Sequence, residues 1–164
     1  EITVKHFNTL LDVASKNNFV HYEISNFGKE GFFSEHNTAY WENKHYLGVG
    51  PSAHSFNGNS RQWNVSSNKQ YINKINDGVS YFELEQLSNS QKCNEYIFIA
   101  LRTIWGVKLD YLNNQFGQEA LDNFKKQVIK WEKKGKIMQY EGAYILTKNG
   151  KLFADAIASD LFIV

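Results

Sequence analysis

The sequence predicts an α+β chain in two parts, the last elements of an α/β domain followed by a small winged-helix-like unit. Three observations predict it. The hydrophobic period changes from helical to alternating between Phe7 and Ile24, the pattern of a helix feeding a strand. Residues 57–89 are polar and rich in Asn, Ser and Gly. Beyond Ser88 three helical patterns, a hairpin and a closing helix follow in order.

Phe7, Leu10, Leu11 and Ala14 repeat at helical spacing until Lys16-Asn17-Asn18 stops the pattern. Val20, Tyr22 and Ile24 then alternate with His21 and Glu23, which predicts a short strand. Asn26 to Gly31 reads as a glycine-flanked loop, and Tyr46 to Gly50 as a second strand running into a turn at Pro51. So few elements cannot close a sheet, so residues 1–57 are expected to be the end of a larger α/β domain. Residues 58–87 are expected to be a linker with a weak helical stretch from Asn68 to Ile75, and residues 88–164 the second unit. In that unit Cys93, Ile97, Ala100, Leu101 and Ile104 mark one helix face, and Leu109 to Phe116 a second helix closed by Gly117. Leu121, Phe124, Val128 and Trp131 mark a third helix, stopped at Gly135. Glu141-Gly142 is a two-residue turn between Ile137–Tyr140 and Ala143–Leu146. Phe153, Ala156, Ile157 and Leu161 belong to a last helix capped near Thr147 or Asn149.

Composition narrows the function classes. With 42% hydrophobic and 21% charged residues, the 164-residue chain can bury a core, which excludes wholesale disorder. A net charge of +1 is far from that of a dedicated polyanion binder. One cysteine, Cys93, excludes an intramolecular disulfide framework and a thiolate cluster built within this chain. The longest apolar run, Tyr96 to Leu101, is too short to span a bilayer, and no leader pattern opens the chain, so the cytoplasm is the expected compartment. The 25 aromatic residues favour wide packed surfaces or a flat ligand. Residues 90–164 carry 11 basic and 8 acidic side chains, with Lys125, Lys126, Lys130, Lys133 and Lys134 on one helix. A winged-helix nucleic-acid module is therefore one reading. Glu141 at the hairpin tip and Glu119, Asp122 and Glu132 along the helix favour a solvated lysine face instead, with no nucleic acid bound.

Three clusters carry the chemistry. Tyr22-Glu23-Ile24-Ser25-Asn26-Phe27 puts polar groups at a strand end, the usual mouth of an α/β barrel site, or equally a plain turn served by Asn26. His36-Asn37-Thr38-Ala39-Tyr40-Trp41 reads as a helix start with Asn37 as cap and His36 just outside it. A neutral imidazole beside two large aromatics suits a flat, iron-bearing macrocycle; the same residues also fit a helix N-terminus with packed rings and a solvent-facing histidine. Gly48-Val49-Gly50-Pro51-Ser52-Ala53-His54-Ser55 lets backbone approach a ligand closely beside His54, but the third glycine of a dinucleotide fingerprint is absent. His6, His21 and His45 have no regular metal spacing, and Cys93 lies on an apolar helix face as a structural thiol.

Taken together and in order, these clusters resemble successive signatures of the radical S-adenosylmethionine (SAM) proteins related to oxygen-independent coproporphyrinogen III oxidase. They are closer to the haem-chaperone branch of that family. Asn94-Glu95-Tyr96 to Leu101-Arg102-Thr103, Gly106-Val107 and Phe116-Gly117 resemble its C-terminal domain. The resemblance implies the last elements of a partial (β/α) radical SAM barrel followed by the winged-helix-like domain, hence a C-terminal fragment. It lacks the CxxxCxxC loop that binds a [4Fe-4S] cluster, and on its own it would be inactive in radical chemistry, with no catalytic residue. The cluster and S-adenosylmethionine would belong to the full-length parent. The motif His-Asn-x-x-Tyr-Trp is associated in the chaperone branch with haem binding, which the resemblance carries onto His36, Asn37, Tyr40 and Trp41, with His36 as possible haem-iron ligand. Glu23, Asn26, Gly50 and His54 are candidate residues of a cofactor or substrate pocket, His54 matching a position beside S-adenosylmethionine in the oxidases. Gly28-Lys29-Glu30-Gly31 stands where relatives usually have Ala-x-Pro-Gly, which loosens the loop before His36. The function so implied is haem binding and delivery to an acceptor protein; the alternative is oxidative decarboxylation of coproporphyrinogen III.

Overall fold

The computed structural model describes residues 2–163, and the chain divides into two compact units. One comprises residues 2–41 with 93–163, the other residues 42–92.

The first unit opens with α1 (Ile2–Lys16), longer than its apolar repeat but without a buried residue. Strand β1 (Val20–Glu23) follows and pairs antiparallel with β2 (Asn26–Gly28), so the expected loop at Asn26 is a tight hairpin. β1 was expected to alternate, yet Tyr22 and Glu23 are both buried, because the chain at Arg102–Ile104 lies against it. Ile24 N–H donates to Arg102 O at 3.0 Å and Ile104 N–H to Tyr22 O at 3.0 Å. After the short helix α2 (Glu35–Trp41) the unit resumes within α4 (Asn89–Leu101). β6 (Val107–Lys108) leads into α5 (Leu109–Lys133), which breaks at Gly117 (φ 87°, ψ 172°), where the sequence placed the stop between two helices. β7 (Ile137–Tyr140) and β8 (Ala143–Leu146) form the expected hairpin, with Glu141 and Gly142 both at positive φ, as a type I′ turn requires. A single helical turn (Lys151–Phe153) precedes α6 (Ala154–Asp160).

Sheet order is β6-β8-β7, all antiparallel. Ile97, Val107, Leu112, Phe124, Val128 and Ile157 are fully buried between these helices and that sheet. Ile104, grouped by spacing with the face of Cys93, Ile97, Ala100 and Leu101, is 39% exposed, and Phe153, expected on the last helix, lies in the turn before it and is 44% exposed; Ala154 and Ala158 take the inner face of that helix with Ile157 and Leu161. Among the described residues no helix is long and apolar enough to cross a membrane.

The second unit overturns the expected linker. β3 (His54–Phe56), β4 (Ser60–Asn64) and β5 (Phe82–Gln86) form an antiparallel sheet in that order, with α3 (Asn68–Asn76) connecting the last two. Ser67 caps α3 by accepting from Gln70 N–H. The expected strand at Tyr46–Gly50 reduces to one bridge, Tyr46 with Phe56, and the strand begins at His54 instead. Gly48 is needed there because a Cβ would lie 2.2 Å from His54 O.

Candidate functional site

The site is built around α2. Its cap is Ser34, three residues before the expected Asn37: the Ser34 hydroxyl accepts from Asn37 N–H at 3.2 Å and its carbonyl from Thr38 N–H at 2.9 Å. His36 therefore sits inside the first turn, and the Asn37 side chain is released for another bond. His36 and Tyr40, four residues apart, share a face. Both are exposed, and their rings meet edge to face with centroids 4.9 Å apart. Two polar atoms of the same helix, Thr38 Oγ1 and Trp41 Nε1, are buried without a hydrogen-bond partner.

A relay of side chains holds α2 in place. Asn37 Nδ2 donates to Asn26 Oδ1 at 3.0 Å, and Asn26 Nδ2 donates to Glu23 Oε2 at 2.5 Å. Ser25 N–H donates to the same oxygen at 2.9 Å. The other oxygen, Glu23 Oε1, accepts from Arg102 Nε at 3.1 Å, and Arg102 reaches Asp155 through its Nη1 at 3.0 Å. Glu23 is 1% exposed, so its charge is tolerable only because both oxygens are engaged, one of them by a guanidinium. A second anchor is aromatic: Tyr22 stacks on Phe33 with centroids 4.4 Å apart, and its hydroxyl accepts from Ser34 N–H at 3.4 Å. Gly28 admits this stack, since a Cβ would lie 2.9 Å from Phe33 Cδ1.

Of the residues singled out in the sequence, the structure brings Glu23, Asn26 and Asn37 into one connected relay, with His36, Tyr40 and Trp41 on the helix it holds. Glu23 and Asn26 are turned into the protein rather than toward an open pocket. Gly50 and His54 belong to the other unit. There Gly50 N–H donates to the Tyr71 hydroxyl at 3.2 Å and Gly50 O accepts from the buried Asn64 Nδ2 at 2.9 Å. Gly48 N–H donates to Ser55 Oγ at 3.0 Å, so this loop spends its backbone groups on its own fold. His54 is exposed at the start of β3. Tyr22 stands in the first sequence cluster and Arg102 in the C-terminal motif, but neither they nor Ser34 and Phe33 are among the site residues the sequence singles out. Ser34, followed by a helical run, carries the local signal of a cap.

The ligand set for an iron–sulfur cluster is absent from this chain. Its single cysteine is buried in α4, where desolvation pushes the thiol up to about 11, and no group of three or more His, Cys, Asp or Glu side chains gathers among the described residues.

No family model matches the chain. It is 36% identical over 138 residues to the heme chaperone HemW of Bacillus subtilis, covering 83% of this chain and 36% of that protein. It is 35% identical over 107 residues to the heme chaperone HemW of Lactococcus lactis, covering 65% of this chain and 28% of the relative. The chain thus spans about a third of the length of the curated relatives it matches. Among solved structures it is similar to the coproporphyrinogen III oxidase HemN of Escherichia coli, described as a radical SAM enzyme. The TM-score is 0.72 at 16% identity, over 94% of this chain and 39% of that one. That likeness gives the fold: mixed helix and strand, shared with a part of the radical SAM enzyme.

Proposed function

The chain belongs to the HemW/HemN-like family, and on that premise we propose that it is the haem-contacting portion of a radical SAM-family haem chaperone. The single observation that carries this reading is α2: His36 and Tyr40 form an exposed imidazole–phenol pair on a helix locked from behind by Asn37, Asn26, Glu23 and Arg102. In this reading His36 offers one imidazole nitrogen to the iron of the haem cargo, with Tyr40 and Trp41 supplying apolar contact to the macrocycle. On the same helix Trp41 Nε1 and Thr38 Oγ1 are buried polar atoms without a hydrogen-bond partner.

One exposed axial ligand is a hold that can be released. An acceptor protein can approach the open face of the iron and bring its own ligand, as delivery requires. Asn37, Asn26, Glu23 and Arg102 are positioning residues in this scheme: they fix the helix so that His36 stands out from it, and they do not touch the cargo.

The proposal extends to architecture. Residues 93–163 run helix, strand, broken helix, hairpin, helix around the β6-β8-β7 sheet, which supports a winged-helix-like domain. The α1–β1–β2–α2 segment is the end of a radical SAM barrel. The parent would hold the [4Fe-4S] cluster and S-adenosylmethionine with residues outside this chain, and it would act in the cytoplasm. The fold likeness to a coproporphyrinogen III oxidase supports a second reading, oxidative decarboxylation by that parent. The full-length protein, reconstituted anaerobically and given coproporphyrinogen III, separates the two: the chaperone reading expects no protoporphyrinogen IX, and steady turnover overturns it.

A further inference from the structure

A cavity of about 530 Å³ opens in the first unit between α1, β1 and the β7–β8 hairpin. Leu11, Phe19, Met138 and Leu146 give it apolar walls. Its polar end is Lys151, whose Nζ donates to His21 Nδ1 at 2.8 Å and approaches His21 O at 3.4 Å. His21 is itself fixed: Nε2 donates to Ile24 O at 2.8 Å, and its ring stacks on Phe27 with centroids 4.4 Å apart and planes 9° from parallel. With Nε2 as donor and Nδ1 as acceptor, the imidazole is neutral, and it cannot balance the ammonium it holds.

The charge balance of the cavity is uneven. Lys148 at its rim is neutralised by Asp12, 2.7 Å away. The nearby Glu23 is taken by Arg102. No described ion pair includes Lys151, and its partial burial pushes the amine below its ordinary range. The cavity therefore presents one uncompensated, partly desolvated cation at the end of an apolar trough. Its volume lies within the ordinary range of small-ligand sites.

We propose that this cavity binds an aliphatic monocarboxylate, its head group on Lys151 Nζ and its chain along Leu11, Phe19, Met138 and Leu146. A single negative charge matches the single unbalanced cation; a phosphate monoester brings more charge than the cavity can neutralise. The site does not depend on the haem reading, since none of these side chains belongs to α2 or its relay.

The test is isothermal titration of the 164-residue chain with sodium octanoate, beside 1-octanol, acetate and octyl phosphate. Expected is saturable one-to-one binding of octanoate, on the order of millimolar or tighter, with octanol and acetate each at least tenfold weaker. Lys151→Met lowers octanoate affinity tenfold or more. Met138→Glu, at a half-exposed position where folding is not at stake, sets a carboxylate at the cavity and abolishes binding. The proposal is overturned if octanoate fails to saturate, if octanol or octyl phosphate binds as tightly, or if the folded Met138→Glu variant binds octanoate like the parent chain.

Discussion

Replacing Arg102 by Met tests the relay behind α2. Met keeps most of the aliphatic volume, so the main loss is electrostatic. Glu23 Oε1 loses its donor at 3.1 Å while the carboxylate stays at 1% exposure. Removing one partner of a buried ion pair is destabilising by about 3–5 kcal/mol. Two facts place this case at the lower end. The Arg102 side chain is 19% exposed, so water reaches its place, and Glu23 Oε2 keeps Ser25 N–H and Asn26 Nδ2. The contact to Asp155, 77% exposed, adds only a small fraction. The expected loss is about 3 kcal/mol, which at a urea dependence of roughly 2 kcal/mol per molar moves the unfolding midpoint by about 1.5 M. The double variant Glu23→Gln/Arg102→Met removes the stranded charge while an amide oxygen still accepts from Ser25 and Asn26, and should recover at least half of the loss. Urea unfolding followed by tryptophan fluorescence measures both. A single variant within about 0.5 kcal/mol of the parent chain, or a double variant no more stable than the single one, refutes the reasoning.

Other outcomes follow from the same structure. Asn37→Ala cuts α2 from Asn26 while leaving His36 and the Ser34 cap, so haem affinity should fall several-fold with the Soret maximum unmoved; a haemin titration reads both. Burial pushes the Cys93 thiol up to about 11, so a thiol reagent at pH 8 should react many-fold more slowly with the native chain than in 6 M guanidinium, as single-cysteine labelling rates will show. Burial, assisted by Lys151, holds the His21 imidazole below its ordinary 6.5. The unfolded chain therefore takes that proton first as pH falls, and the stability His21 contributes, complete above pH 6.5, is lost progressively below it. Melting temperatures measured from pH 7.5 to 5 should decline less steeply in His21→Gln.

What the sequence made legible was local. The period change from α1 to β1, the stop at Gly117 and the Glu141-Gly142 turn each rest on a few adjacent residues, and the structure has all three. The second unit was hidden because β4 (Ser-Arg-Gln-Trp-Asn) has almost no apolar face. Its register with β5 is held by backbone pairing and by bonds such as Trp63 Nε1 to Glu83 at 3.1 Å, so no hydrophobic alternation marks the strand. At the site, the motif containing His36 and Tyr40 was visible, but its support was not. Glu23 meets Arg102 across 79 residues, and His21 meets Lys151 across 130, distances at which no spacing rule operates. The cap was misplaced for a simpler reason: both Ser34 and Asn37 are good cap residues, and Ser34 takes the role because its hydroxyl reaches Asn37 N–H while the Asn37 amide is drawn to Asn26.

The most direct test of the central claim is a haemin titration of the 164-residue chain followed by its Soret band, beside His36→Ala. A saturable one-to-one shift that the variant loses is expected, because His36 stands exposed on α2 with Tyr40 at its edge. A shift retained in full by His36→Ala, or no saturable shift in the parent chain, contradicts it.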